Sequence, residues 1–160
     1  MVTIENIESS SPADKAGLKA GDRLISADSN TLRDALDVQF YIEGEKRVEI
    51  VFQRDGQEQS LILINDVLEP TGITPEPIGL RRCRNNCVFC FVDQQPAGLR
   101  DSLYIKDEDI RHSFLHGNYI TLTDVPEWEY ERIVRQRMSP IYVSVHSSDE
   151  DVRRKLLGRT

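Results

Sequence analysis

Apolar side chains follow two rhythms along this 160-residue chain. In the first 66 residues, alternation dominates. Val2 and Ile4 open a short extended segment, and Arg23 to Ala27 reads as a strand. Val48, Ile50 and Phe52 alternate as the buried face of a strand does, and Leu61 to Ile64 returns after Asp55-Gly56, a hairpin turn pair. Two helices interrupt the strands. Ser11 can cap the first, with Pro12 at its first position, Asp14 at its third and Gly17 ending it. Ala20-Gly21-Asp22 and Asp28-Ser29-Asn30 read as turns. From about Thr31 to Ile42, Leu32, Leu36 and Phe40 recur every four residues, and Ala35, Val38 and Ile42 widen the stripe, which predicts an amphipathic helix.

Beyond Ile64 the pattern changes. Residues 67–77 hold three prolines and a glycine within Glu69 to Pro77, which predicts a linker or an extended docking segment. Residues 78–160 then read as strand and helix in turn. A strand is expected ahead of Cys83. Asn118 to Asp124 is a second, followed by a helix from near Pro126 to about Met138 that Thr123 or Asp124 can cap. Ser139-Pro140 breaks it, and Ile141 to His146 is the next strand. Ser147 and Glu150 form a capping-box pair for a helix to Leu157, and Gly158 ends it. This spacing predicts a parallel sheet of βα repeats. With a period of two, Tyr119, Thr121 and Thr123 share one strand face, as do Tyr142, Ser144 and His146. A packed barrel lumen is normally filled by branched apolar residues, so these polar faces suggest a lumen lined for a ligand.

Composition narrows the class. Hydrophobic residues make up 39% of the chain and charged residues 29%, an ordinary globular balance that excludes a disordered polyelectrolyte or a collagen. No apolar run is long enough for a transmembrane helix, and the first residues show no secretory pattern. The net charge of −7 is uneven: residues 1–70 carry 14 acidic and 7 basic side chains, and residues 71–160 carry 13 of each. That asymmetry argues for two modules and against a basic nucleic-acid footprint. The odd set of three cysteines, Cys83, Cys87 and Cys90, makes a poor disulfide framework and points to the reducing cytoplasm.

Those cysteines carry the candidate chemistry. The C-x3-C-x2-C spacing can place three thiolates on three corners of one cubane cluster, whereas structural zinc usually takes four ligands. One iron would keep an open position for a small molecule. Arg81, Arg82 and Arg84 are expected to favour ionised thiolates and an anionic ligand. Two other readings stand beside this one: a Cys3His zinc site completed by His112 or His116, and a metal-free redox-sensing thiol cluster. His112 and His116 would share a helix face, which equally suits a solvated pair. His146, at a strand end, is a candidate cofactor or proton-relay contact. Trp128 reads as core packing.

Two resemblances follow from these residues. Ser11-Pro12-Ala13-Asp14-Lys15-Ala16-Gly17-Leu18-Lys19-Ala20-Gly21-Asp22-Arg23-Leu24-Ile25, with the Arg54-Asp55-Gly56 hairpin, resembles a bacterial PDZ domain. That implies a protein or peptide partner captured by strand addition. The cysteine string with Phe89 just before its third cysteine resembles the radical S-adenosylmethionine enzymes, in particular a bacterial family that joins a PDZ-like N-terminus to this string. The resemblance implies that Cys83, Cys87 and Cys90 hold a 4Fe–4S cluster, whose open iron takes the amino and carboxylate groups of S-adenosylmethionine. An electron donor then allows formation of a 5′-deoxyadenosyl radical that abstracts hydrogen from a substrate. Leu122-Thr123-Asp124 takes the position of the motif that holds the ligand's amino group. Phe89, Thr121, Thr123, Asp124, Ser144 and His146 are the expected cofactor-binding residues.

The expected fold class is α/β: a small PDZ-like α+β domain over 1–66, a Pro-rich linker over 67–77, and the first βα units of a partial TIM-type barrel over 78–160. The chain is expected to be a fragment of a longer protein and inactive alone. No nucleic-acid or membrane partner is expected. The alternative to an enzyme is a non-catalytic iron–sulfur or zinc adaptor with a peptide-binding module.

Overall fold

The computed structural model describes residues 1–159 and divides into two compact units, Met1–Gly79 and the chain from Leu80 onward. The first unit is a mainly antiparallel sheet with two short helices. Strands β1 (Val2–Ile7), β2 (Arg23–Ala27), β3 (Asn30–Thr31), β4 (Arg47–Arg54), β5 (Gln57–Ile64) and β6 (Ile73–Pro75) run in the order β5-β4-β2-β1-β6, with β3 on β2. Asp55 and Gly56 turn β4 into β5 with φ of 52° and 78°, the left-handed pair a two-residue hairpin needs. The inner faces bury Ile4, Leu24, Val48, Ile50, Phe52 and Leu63 in one core.

Helix α1 (Pro12–Ala16) starts as expected, with the Asp14 N–H 3.3 Å from Ser11 Oγ and Gly17 at φ 94°. Helix α2 is shorter than its apolar stripe. It spans Ala35–Tyr41 because Asn30 and Thr31 pair with β2 and Asp34 caps it, its Oδ1 accepting from the Leu36 and Asp37 N–H groups at 3.1 and 3.3 Å. Phe40, expected on the buried stripe, is 45% exposed.

The Pro-rich stretch is not a free linker. Ile73–Pro75 pairs antiparallel with β1, and Thr71 is fully buried with its N–H and hydroxyl on the Glu43 carboxylate. Gly72, at φ 79°, lies so close to Ser11 that a Cβ there would come within 2.3 Å of its side chain. The first unit therefore runs past residue 66.

The second unit is α/β. Strands β7 (Tyr119–Ile120) and β8 (Tyr142–Val143) pair in parallel, connected through α4 (Glu127–Arg135). Helix α3 (Ile110–His116) precedes β7, and α5 (Glu150–Leu156) follows β8. The βα alternation agrees with the sequence, while the strands are shorter. Leu122, Asp124 and His146 take φ of 53°, 58° and 66°, which no extended strand accommodates. Ahead of Cys83 there is one bridge, Arg82 to Asp107, instead of a strand. The expected caps also move. Pro126 stands at the N-cap of α4 without a side-chain bond, because Thr123 and Asp124 are engaged elsewhere. Asp149 caps α5 by accepting from the Val152 N–H at 2.9 Å, and Ser147 supports it from outside.

The cysteine loop as a candidate metal and cofactor site

Backbone bonds fix the loop at three places. The Cys83 N–H donates to the Lys106 carbonyl at 2.9 Å, beside the Arg82–Asp107 bridge. The Asn86 and Val88 N–H groups donate to the Leu157 and Leu156 carbonyls at 3.0 and 3.1 Å, so the loop satisfies carbonyls at the end of α5. The Cys90 N–H returns to the Cys87 carbonyl at 3.1 Å. Gly158 sits directly beneath: a Cβ there would lie 2.1 Å from the Asn86 carbonyl oxygen.

The three half-buried thiols line one cavity of about 680 Å³ together with Phe89, Lys106, Glu108, Thr121, Ser144 and His146. Burial raises the Cys83 thiol pKa, against the Asn85 N–H, which lies 3.4 Å from its Sγ. Burial also raises Cys87, and the Cys83 and Cys90 sulfurs push it further. Thiolates that oppose one another in this way are brought together by a cationic centre, which takes them deprotonated. Among the described residues, no three or more His, Cys, Asp or Glu are gathered closely enough to hold one metal ion. The donor set in the cavity is three thiols. A cubane cluster would take one thiolate on each of three irons, whereas structural zinc usually takes four ligands.

The cations that act on the sulfurs are Lys106 and Arg159, not the three arginines that the sequence suggests. Lys106 acts on Cys83 and Cys87, and its Nζ is 2.6 Å from Asp93 Oδ2. Arg81 is engaged by the buried Glu129 at 2.5 Å. Arg81, Arg82 and Arg84 instead border a separate cavity of about 400 Å³ with Glu108, Thr123 and Asp124.

A polar network joins the loop to the end of β7. Asn85, buried between two of the cysteines, donates from Nδ2 to Thr121 Oγ1 at 2.9 Å and Thr123 Oγ1 at 3.0 Å. Its Oδ1 accepts from Arg159 Nε at 2.6 Å. Glu108 Oε1 accepts from the Thr121 N–H at 2.7 Å, the Thr121 hydroxyl at 2.8 Å and the Thr123 N–H at 3.3 Å. Thr121 and Thr123 do share a side, as expected, but through the left-handed turn at Leu122 and not through a pleat. Asp124 gives both carboxylate oxygens to Arg159, which holds its pKa below the usual carboxylate range.

Phe89 and His146 pack ring on ring, with centroids 4.6 Å apart, and both line the thiol cavity with Ser144. His112 and His116 contact each other edge to face at 5.6 Å, and neither lines the thiol cavity. Trp128, expected in the core, is 39% exposed. Sequence patterning missed Asn85, Glu108 and Arg159. Glu108 precedes a helix cap in an acidic run, where periodicity carries no signal. Asn85 does lie inside the cysteine string, and that position was the available clue.

A β-rich unit followed by an α/β unit with a three-thiol loop is the class that fold and site define. The family model described as the Radical SAM-like domain matches residues 65–160, and that of the PDZ domain matches residues 3–54. The chain belongs to the Radical SAM-like domain family and carries a PDZ domain at its N-terminus. Among solved structures, it is similar to the PDZ domain of the SdrC-like protein from Listeria monocytogenes. That likeness has 21% identity and a TM-score of 0.40, covering 46% of this chain and 85% of the other. No curated protein matches the chain. No helix among the described residues is long and apolar enough to cross a membrane.

Proposed function

We propose that the second unit is the cluster-binding part of a radical S-adenosylmethionine enzyme, with its βα units belonging to a barrel. One observation carries this reading: Cys83, Cys87 and Cys90 all line a single cavity that is large enough for a cluster with a bound small molecule. Cys83, Cys87 and Cys90 would hold the 4Fe–4S cluster. When bound and reduced by an electron donor, that group supplies the electron that cleaves S-adenosylmethionine to a 5′-deoxyadenosyl radical.

The chain's own residues bind, orient and shield. Asn85 fixes the loop against Thr121 and Thr123, so the sulfurs are positioned before metal arrives. Phe89 and His146 form an aromatic wall suited to a flat purine. Lys106, in the same cavity, favours the thiolate forms of Cys83 and Cys87. In the first unit, the PDZ domain is proposed to engage a protein or peptide partner.

The full-length protein, reconstituted anaerobically, reduced with dithionite and incubated with S-adenosylmethionine, tests the reading. Release of 5′-deoxyadenosine, followed by chromatography, is expected. A full-length protein that takes up the cluster and never yields this product would be a non-catalytic iron–sulfur adaptor instead.

A further inference from the structure

Arginines gather along one face of α5. Arg153, Arg154 and Leu157 follow Glu150 at intervals of three, four and seven residues, which puts them on one side of the helix. That side borders a cavity of about 490 Å³, whose polar lining is Arg84, Thr123, Glu150, Arg153, Arg154 and Arg159. It shares no lining residue with the thiol cavity. Carboxylates meet two of the four guanidiniums. Arg154 Nη2 lies 2.6 Å from Glu150 Oε1, and Arg159 Nη1 lies 2.7 Å from Asp124 Oδ1. The other two lack a carboxylate. Arg153 donates only to carbonyl oxygens, from Nε to Val145 at 3.0 Å and from Nη2 to Thr121 at 2.5 Å. Arg84 has no hydrogen-bond or ion-pair partner among the described residues, and reaches Asp124 only through space. Two positive charges at this cavity are therefore left without a counter-charge, in a chain whose net charge is −7. Guanidinium forks match the oxygens of phosphates and carboxylates, and a cavity lined by one sign of charge concentrates the opposite ion.

We propose that this cavity is a second binding site, for a doubly charged anionic group, a phosphate or a dicarboxylate, on a small molecule. Arg84 and Arg153 supply the two unmatched charges. Arg154 can join them, because its pair with Glu150 is exposed and such pairs are weak. The carboxylate of S-adenosylmethionine is a different group, since the family resemblance sends it to the open iron in the thiol cavity. The second site is thus independent of the cluster reading, and the metal-free chain can test it.

Isothermal titration calorimetry on the full chain, at constant ionic strength, reads the site with inorganic phosphate and malonate as probes. The parent is expected to bind at least one of them with a Kd below about 1 mM. Arg84→Gln is expected to weaken that probe about tenfold. Arg82→Gln removes the same charge two residues away, outside this cavity. It is expected to stay within about twofold of the parent. Glu150→Gln removes the one carboxylate that lines the cavity and competes for Arg154, and is expected to tighten binding about threefold. Tighter binding of phosphate than of malonate identifies a phosphoryl group, and the reverse a dicarboxylate; both uphold the site. No measurable binding of either probe by the parent would overturn the proposal. So would unchanged binding in Arg84→Gln, or equal losses in Arg84→Gln and Arg82→Gln, which mark unspecific charge attraction. Should Arg84→Gln fail to fold, Glu150→Gln decides: tighter binding upholds the site, and unchanged or weaker binding overturns it.

Discussion

The two units are held together by different means. The first closes around Val2, Ile4, Leu18, Leu24, Leu32, Val48, Ile50, Phe52 and Leu63, all essentially inaccessible. The second buries few apolar side chains, among them Ile110, Ile120, Met138 and Leu157, and many polar ones: Asn85, Glu108, Asp109, Ser113, Glu129, Arg132 and Gln136. Apolar burial is non-directional and tolerates small shifts. Hydrogen-bonded polar networks hold atoms at set distances and fail sharply when one member is lost. The difference fits the tasks proposed for the two units. A sheet proposed to present a docking surface needs stability, while a loop proposed to place three sulfurs needs position.

The sharpest way to break this contrast is through the sulfurs. Replacing any one of Cys83, Cys87 or Cys90 by Ser is expected to abolish stable cluster binding, with iron near zero after desalting, while far-UV circular dichroism keeps the parent spectrum. Retention of most of the iron by any single variant would remove that cysteine from the donor set.

Next comes stability. Glu129→Ala leaves Arg81 without its bidentate partner at 2.5 and 3.0 Å. It is expected to cost about 3 kcal/mol and to lower iron content per chain. Leu24→Ala removes a fully buried side chain from the first core. It is expected to cost a similar amount, about 3 kcal/mol, without changing iron content per folded chain. Urea unfolding followed at Trp128, the single tryptophan, and by circular dichroism reads both. If Leu24→Ala reduced iron as strongly as Glu129→Ala, the division of tasks would not hold.

Gly158→Ala tests how closely the loop sits on the end of α5. At φ 64°, and with the Asn86 carbonyl oxygen only 2.1 Å from the added Cβ, the loop backbone must move. Iron uptake is expected to fall severalfold, and the unfolding midpoint of the second unit to fall with it.

Charge gives a smaller, pH-dependent effect. Burial alone would raise Asp109, but the Arg111 side chain and the Arg81 and Arg111 N–H groups bring its pKa down to about 2, from an ordinary value of 3.8. A depressed carboxylate contributes stability that is fully present above its unfolded value and lost as the pH falls through the folded value. The second unit should therefore weaken between about pH 4 and pH 2, and Asp109→Asn should flatten that limb of the stability curve.

The smallest effect is expected from Ser11→Ala, about 1 kcal/mol from loss of the α1 cap.

Legibility in the sequence follows the same contrast. Alternation at Val48, Ile50 and Phe52, the Asp55-Gly56 turn and the Ser11-Pro12 helix start are local signals, and the first unit obeys them. What the sequence left open or misplaced depends on distant pairing: the Pro-rich stretch reads as a linker or a docking segment until β1 supplies a partner for β6, and α2 starts late because Asn30 and Thr31 find β2. In the second unit, the cysteine spacing was plain, as were the βα rhythm and the positions of Thr121 and Thr123. The roles of Glu108 and Arg159 depend on contacts across 13 and 74 residues, and no short pattern encodes those. Asp124 shows the converse. Its position suggests a ligand contact, and a neighbour 35 residues away engages it.

Iron and acid-labile sulfide counted after anaerobic reconstitution and desalting test the central claim most directly. The account predicts about four of each per chain, with broad visible absorption that disappears in the Cys87→Ser variant. Stoichiometric zinc with near-zero iron and sulfide, in a colourless protein, would contradict it.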